Sequence, residues 1–520
     1  MLDFMSQITD KPSWDDKVFD ESIVNKWLQE TAQYQDFTDA MFDYCIKELR
    51  EKAQKFKETG MVAVIDTEAT VVKSDCAVPS ELRDALRAAA FRLEDVPDHR
   101  KDWHPGSDGK VLDLLHPSLF PLVYGKTRIL PTGRVPLATC LKHSGEGELT
   151  EPVDISKDTA MILKRTAINW DSRDYMPAWD EFQWLPSDVH FKDGGGVEIA
   201  SYVNNLHPAH HEDLYRVLEQ MVDRNEDYCR PEGVRSPASE IPADWDEEKY
   251  GKYHKMFDPR YQELYEEWFE SVKVAAIPKP DPYKPFPETT SLPGAYPIDL
   301  RERFKDRGLQ IIFKLANIHL TPDKPEYEGG TWHVEGALNE HICATALYYY
   351  DQENITDSRL SFDNTQNEYS SCETYYGIRQ NEPGSLVQVL GSVATRAGRL
   401  LVFPNVLQHR VSPFRLADSS RPGHRKILAM FLVDPHVRVI STANVPPQRR
   451  DWWAEELRRT VPRLAALPPE IFDHIVGKVE EPWGFEEARR IRRDLMDRRG
   501  AMNDEVNDYM MEQRISFCEH

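Results

Sequence analysis

Apolar residues in the first half of the chain recur at helical spacing. They return every three or four positions at 18–60, 80–92, 211–228 and 240–276. Residues three or four apart share one face of an α-helix, so this spacing predicts amphipathic helices. Residues 61–75 instead alternate and are rich in β-branched side chains, which predicts a strand or hairpin. The first half is therefore predicted to be mainly helical, with irregular proline-punctuated segments.

The pattern changes after a proline-rich stretch. Seven prolines lie between Pro278 and Pro297, and proline suits neither a helix interior nor a central strand. We therefore predict a mainly helical region at 1–297 that ends in an extended connector. At 298–446, short segments rich in β-branched and aromatic residues follow one another without helices, which predicts an antiparallel sandwich or barrel. With a charged helical extension at 447–520, the predicted fold class is α+β.

Composition and charge exclude several classes of partner. The chain has 520 residues, of which 40% are hydrophobic, and this is enough for a large core. Lys and Arg number 64 against 88 Asp and Glu, and the net charge of −24 repels nucleic acid and anionic lipid. No apolar run approaches the roughly 20 residues of a membrane-spanning helix. Widely spaced cysteines and an acidic N-terminus favour reduced thiols and a cytoplasmic location.

The candidate chemistry begins with His333 and Glu335 in the segment GTWHVEG. Residues i and i+2 of a strand project from the same face, so this imidazole and carboxylate can share a metal ion. The pair alone is a weak signal, because short His-acid motifs often arise by chance. His409 follows a second apolar strand, GRLLVFPN, which places it at the mouth of a buried sheet. Two histidines and one carboxylate form the ligand set of non-haem Fe(II) oxygenases.

Arg425 opens the apolar strand HRKILAMFLVD. A buried guanidinium is costly unless a carboxylate meets its planar fork, and the distal carboxylate of 2-oxoglutarate is such a group. The alternative is an arginine that reaches water from the end of the strand. Lys426 points to the opposite face and is expected to be the exposed residue of the two.

Together these elements resemble the Fe(II)/2-oxoglutarate-dependent oxygenases over residues 300–440. The resemblance implies a double-stranded β-helix, or jelly roll. It also implies that His333, Glu335 and His409 hold Fe(II) and that Arg425 holds 2-oxoglutarate. Most of the chain also resembles a large fungal family known only as domain of unknown function 4246, in SYVNNLHP, GGTWHVEGALNEH and PNVLQHRVSPFRL. That family name supplies no substrate.

The oxygenase resemblance implies a small organic substrate that reacts with dioxygen at a C–H bond. An amino acid or peptide-derived metabolite is the substrate class favoured by analogy. Glu335 stands where Asp is commoner in these enzymes, but a carboxylate is retained. No ligand position is therefore vacated for a halide, which favours hydroxylation, desaturation or ring closure over halogenation.

Two further residues are candidates for binding the co-substrate. Asn317 is a candidate to steady the C1 carboxylate of 2-oxoglutarate, although an Asn on a strand is often a bulge or edge residue. Thr345 is a candidate to bind the distal carboxylate beside Arg425, although a β-branched residue also simply fills a sheet.

Three other functions stay open at this point. A cupin-like metal dioxygenase or isomerase needs no co-substrate and therefore no Arg425. A histone-demethylase-like oxygenase has the same metal ligands but anchors its co-substrate with a lysine earlier in the fold. A non-catalytic adaptor is suggested by LPPEIFDHIV, which resembles the start of an F-box. In the cluster His207, His210 and His211, a proline and a turn separate the first histidine from the others and no cysteine completes a ligand set, so we favour a structural or substrate-lining role there over metal binding.

Overall fold

The computed structural model describes residues 1–34, 37–66, 69–152, 181–223, 283, 299–365 and 387–512. The predicted helical stretch at 240–276 lies outside the described residues. So do the proline-rich connector, apart from residue 283, and the boundary before residue 299.

Helices flank the sheets on both sides in sequence. Their bounds are α1 (Leu2–Ile8), α2 (Trp14–Lys17), α3 (Glu21–Glu30), α4 (Asp39–Thr59), α5 (Ser80–Glu94), α6 (Glu212–Asp223), α7 (Leu300–Phe304), α8 (Arg450–Thr460), α9 (Pro462–Ala465), α10 (Pro469–Gly477) and α11 (Phe485–Glu512). Capping explains where the longest N-terminal helix begins and ends. The Thr38 hydroxyl accepts the Met41 amide at its start, and Gly60 ends it with φ +72°, a conformation that favours glycine. No helix within the described ranges is long and apolar enough to cross a lipid bilayer.

The strands are short in the N-terminal region and longer after residue 308. Their bounds are β1 (Val62–Asp66), β2 (Thr70–Ser74), β3 (Val111–Leu115), β4 (Leu122–Val123), β5 (Arg128–Ile129), β6 (Glu148–Leu149), β7 (Phe182–Gln183), β8 (Ser187–Phe191), β9 (Val197–Ile199), β10 (Leu309–Leu320), β11 (Glu326–Tyr327), β12 (Ile342–Glu353), β13 (Ser358–Thr365), β14 (Val387–Thr395), β15 (Leu400–Pro404), β16 (Gln408–Val411), β17 (Phe414–Arg415) and β18 (Gly423–Val433).

A large antiparallel sheet dominates the architecture. In the part of the chain that the structure describes, this main sheet has nine strands in the order β1-β2-β15-β12-β18-β10-β8-β9, and β3 also pairs with β10. A second sheet has the order β14-β13-β16. The mixed fold with a large antiparallel sheet agrees with the predicted α+β class. It differs in that five strands of the N-terminal region join the main sheet, because these short strands complete their hydrogen bonding at its edges.

The main sheet has two buried faces. Its inner face packs on the second sheet, where the rings of Phe362 and Phe403 lie 5.0 Å apart. Its outer face is covered by α5 and α6, and Leu315, Tyr350 and Leu428 belong to that core. Because neighbouring residues of a strand alternate between faces, each polar residue can be assigned to one of these two surroundings.

Candidate functional site

His333 and His409 are brought together by backbone pairing. The two residues form an isolated antiparallel bridge, in which the His333 amide donates to the His409 carbonyl at 3.2 Å and the reverse bond is 3.0 Å. The bridge adds the His333 segment to the β16 edge of the second sheet. His409 also pairs with Phe362 of β13, so its side chain points to the interior between the two sheets.

Glu335 is fixed by Asn405, which follows β15. The Asn405 side chain accepts the Glu335 amide at 2.9 Å and donates to the Glu335 carbonyl at 2.8 Å. Gly336 follows with φ +74°, and a β-carbon there would lie 2.6 Å from the carboxylate of Glu340. The turn after Glu335 therefore requires glycine.

The three side chains converge on one point. Glu335 Oε1 lies 3.8 Å from His333 Nε2 and 3.5 Å from His409 Nε2. Their candidate ligand atoms all lie within 4.8 Å of one another. His409 is 3% exposed and Glu335 11%, whereas His333 is 31% exposed, so the site opens to one side.

Hydrogen bonding gives both histidines the tautomer that a metal ligand needs. His333 Nδ1 lies 2.8 Å from the Thr331 carbonyl, and His409 Nδ1 lies 3.4 Å from the Leu407 carbonyl. A carbonyl only accepts, so Nδ1 carries the proton in each ring and the Nε2 lone pair faces Glu335. This support of the distal ring nitrogen is typical of metal-binding histidines.

The electrostatics of the three side chains are strongly coupled. Burial opposes the charge of Glu335, but the two imidazoles outweigh it and hold the pKa of this carboxyl well below its usual range. Burial opposes protonation of His333 too, yet the Glu335 carboxylate raises its pKa. Burial and the neighbouring His333 together lower the pKa of His409. Glu335 therefore stays charged and the His409 imidazole resists protonation, and such a pair is suited to bind a cation.

Among the described residues, two other clusters contain side chains that can bind a metal, but in each cluster one histidine has a tautomer that does not suit metal binding. The first is His104, Asp113 and His116. His116 Nδ1 accepts the Ser118 amide at 3.2 Å, so its proton lies on Nε2 and blocks metal binding there. Arg492 Nη1 also lies 3.5 Å from Asp113, which adds a repelling positive charge.

The second cluster contains two of the three histidines that the sequence analysis considered. Glu455 of α8, which is distant in sequence, joins His207 and His210 and supplies the acid of this cluster. His207 Nδ1 accepts the His210 amide at 3.2 Å, which again places the proton on Nε2. The stacked rings and the contact with Glu455 fit a structural role that joins this turn to α8.

Arg425 lies on the inner face of the main sheet and is fully buried. Its Nη1 donates to the hydroxyls of Ser358 and, at 3.5 Å, Thr395. Its Nε and Nη2 have no hydrogen-bond partner, and among the described residues no carboxylate pairs with it. Burial lowers its pKa. A buried guanidinium with two unpaired nitrogens is suited to bind an anionic ligand.

The structure does not bring Asn317 to this interior. Its neighbour Ile318 pairs with Arg425 on the inner face, so Asn317 points outward, where it accepts a hydrogen bond from Tyr350 at 2.9 Å. The strand alternates as expected, but the face that carries Asn317 is the helix-covered one.

Nor does the structure place Thr345 beside Arg425. Thr345 pairs with Phe431, six positions from Arg425 along β18, which corresponds to about 20 Å at 3.3 Å per residue. The hydroxyls that contact Arg425 come from Ser358 and Thr395 of the second sheet instead. Register and sheet packing decide these contacts, and neither is visible in one strand's sequence.

Comparison with known proteins assigns a family. Residues 39–456 match the family described as "Protein of unknown function (DUF4246)", and residues 1–30 match its N-terminal domain. The chain belongs to the DUF4246 family. No curated protein matches it.

The solved structures that match this DUF4246 protein are distant from it. A dioxygenase described as Fe(II)/(alpha)ketoglutarate-dependent, TqaL, is 16% identical with a TM-score of 0.17, and the alignment covers 26% of this chain and 46% of TqaL. IDO from Bacillus thuringiensis is 10% identical with a TM-score of 0.22, covering 74% of this chain and 97% of IDO. A BsmA homologue from Methylobium petroleophilum PM1 is 10% identical with a TM-score of 0.25, covering 73% and 91%.

Proposed function

We propose that this DUF4246 protein is a non-haem Fe(II)- and 2-oxoglutarate-dependent oxygenase that oxidises a C–H bond of a small organic substrate. One observation carries the proposal. A two-histidine, one-carboxylate cluster with free Nε2 lone pairs shares its interior with Arg425, whose two unpaired nitrogens need an anion. Each half matches one of the two ligands that such an oxygenase requires.

The strand order supports a jelly roll as the core of this enzyme. The central strands of the main sheet run β15-β12-β18-β10, and β14-β13-β16 with the His333 segment face them. We infer two four-stranded sheets that wind as a double-stranded β-helix, with the three metal-ligand residues on the second sheet. The N-terminal strands β1, β2, β3 and β8 extend the main sheet at its two edges.

The spacing between the two halves of the site suits a short dicarboxylate. Strand β13 contacts both halves of the site, because its Phe362 pairs with His409 and its Ser358 contacts Arg425. These two β13 residues are four apart, which is about 13 Å along a strand. A dicarboxylate held at one end by the metal and at the other by Arg425 would lie between these two groups.

The roles of the residues follow from this placement. His333, Glu335 and His409 would hold Fe(II) and leave three coordination positions open. Bound Fe(II) and 2-oxoglutarate would supply the oxidising chemistry that no side chain of this protein provides. Arg425 would bind the distal carboxylate, and its two hydroxyl partners would orient the guanidinium. The rings around His409 would exclude water from this side of the site.

The proposal is tested by anaerobic addition of Fe(II) and 2-oxoglutarate to the full chain. We expect a visible charge-transfer absorption from the chelated co-substrate, and we expect Glu335→Ala to abolish it. A cupin-like enzyme without a co-substrate would bind the metal and show no such absorption. A non-catalytic adaptor would bind neither, and either result would contradict the proposal.

A further inference from the structure

Lys314 is a second positive charge on the inner face of the main sheet. It lies two residues from the core residue Ile312 on β10, and its cross-strand neighbour on β18 is Ala429. The next inner-face residue of β10 is Ala316, which pairs with Asp113 of β3. Lys314 is half-buried, and both of these inner-face neighbours are small alanines.

Lys314 makes no hydrogen bond or ion pair with any residue that the structure describes. Other buried lysines of the sheet region have acidic partners. Lys426 Nζ lies 2.8 Å from Glu94, and Lys73 Nζ lies 2.5 Å from Asp10. A half-buried ammonium group on the inner face, with no described carboxylate bonded to it, is a place where an anion can bind through a charge-assisted hydrogen bond.

The acid that pairs across from Ala316, Asp113 of β3, already has two basic partners. Asp113 lies 2.8 Å from His104 Nδ1 and 3.5 Å from Arg492 Nη1. Lys314 shares the inner face of β10 with Ile312, whose core cluster includes Phe403, and the Phe403 ring lies 4.9 Å from the ring of the candidate metal ligand His409.

Lys314 and Arg425 are two separate anion positions. Ala429, opposite Lys314, is four residues from Arg425 along β18, and this is about 13 Å. Arg425 lies toward the start of β18, beside the Ser358 and Thr395 hydroxyls. A 2-oxoglutarate whose distal carboxylate is bound at Arg425 leaves Lys314 available for another ligand.

We propose that Lys314 binds a carboxylate of the organic substrate, so that the substrate is a small carboxylic acid, with amino acids as the first class to examine. This inference rests on the proposed oxygenase function. Lys314 thereby positions the substrate against the open side of the site, where His333 is the most exposed of the three candidate metal ligands.

The test uses the full chain with Fe(II) and 2-oxoglutarate under anaerobic conditions. The probes are the twenty amino acids and benzoate, each paired with its primary amide, and the readouts are the thermal midpoint and the charge-transfer absorption. We expect at least one acid to raise the midpoint while its amide does not. Lys314→Met should weaken that acid about 10- to 100-fold, as expected for loss of a charge-assisted bond, whereas Lys314→Arg retains part of the affinity.

Two controls separate this inference from the proposed function. Lys314→Met should leave the 2-oxoglutarate affinity within about twofold, and Lys426→Met, on the opposite face, should leave acid binding unchanged. The inference is overturned if no acid differs from its amide, or if Lys314→Met binds acids as the wild type does. A large loss of 2-oxoglutarate affinity in Lys314→Met also overturns it, because Lys314 would then hold the co-substrate. Absence of the charge-transfer absorption in the wild type refutes the oxygenase proposal instead.

Discussion

Replacing Arg425 by methionine should stabilise the ligand-free protein. Methionine is similar in length and apolar, so Arg425→Met removes a buried charge whose Nε and Nη2 have no partner. Each unpaired charged group costs about 1–3 kcal/mol. The Ser358 hydroxyl stays bonded to Thr395 at 2.8 Å, so the change leaves no new unpaired group there. We expect the free energy of unfolding to rise by about 1–3 kcal/mol.

The same change should remove most of the stabilisation by 2-oxoglutarate. At 100 times the wild-type Kd, a ligand raises the free energy of unfolding by about 2.7 kcal/mol. If loss of the guanidinium weakens binding about 100-fold, the gain in Arg425→Met falls to about 0.4 kcal/mol at the same concentration. Without the co-substrate, Arg425→Met is thus expected to be more stable than the wild type, and added 2-oxoglutarate should stabilise it only slightly.

Arg399 provides a matched control for Arg425. It is equally buried, but its Nε lies 2.7 Å from Asp75 and its Nη1 lies 2.8 Å from Asp10. Arg399→Met therefore removes charge-assisted bonds to two carboxylates, which keep Lys73 and Arg396 as partners, and should destabilise the protein by about 1–3 kcal/mol. Urea unfolding of both variants, with Fe(II) and with and without 2-oxoglutarate, measures these differences. If Arg425→Met destabilises the protein as Arg399→Met does and 2-oxoglutarate still stabilises it, the assignment of Arg425 is refuted.

Two further predictions concern residues outside the site. Asn507 of α11 donates to the Trp332 carbonyl at 3.1 Å and accepts from Gln408 at 3.2 Å, and these two residues precede His333 and His409. Asn507→Ala should therefore weaken Co(II) binding about tenfold in a spectrophotometric titration. An unchanged Co(II) affinity would exclude this contribution. Burial opposes the charge of Glu94, but its contact with Lys426 helps lower the pKa of this carboxyl to about 2. The Glu94 carboxylate therefore stabilises the fold above pH 4.5, and this contribution is lost as the pH falls toward 2. Glu94→Gln should therefore cost about 3 kcal/mol at pH 7 and progressively less below pH 4.5, and a pH-independent difference in urea unfolding would contradict this.

Local sequence pattern was enough to single out the candidate residues whose position depends mainly on their own strand. His333 and Glu335 are two apart in an extended segment, and Arg425 interrupts an apolar strand, so each stands out without knowledge of its neighbours. His409 could be found because it ends an apolar stretch. The antiparallel β region was predictable for the same reason, since alternation and turn residues are local signals.

The rest of the site depends on contacts between distant segments. Asn405 steadies Glu335 through a turn, and Ser358 and Thr395 reach Arg425 only because the second sheet packs on the first. Thr345 was the wrong hydroxyl because strand register, which single-strand patterns do not contain, places it far along β18. The hairpin predicted at 61–75 is confirmed as β1 and β2, but its place in the main sheet could not be predicted, since the other hydrogen-bond partner of β2 is β15 in the β core.

The central claim is that one ferrous ion binds between two imidazoles and one carboxylate. Crystals of the full chain, grown anaerobically with Fe(II) and measured at the iron absorption edge, test it directly. We expect a single strong anomalous peak about 2.0–2.2 Å from His333 Nε2, His409 Nε2 and a Glu335 carboxylate oxygen, typical lengths for bonds from a divalent metal to such ligands. A peak at the His104 or His207 cluster instead, or none at Glu335, would refute this iron site.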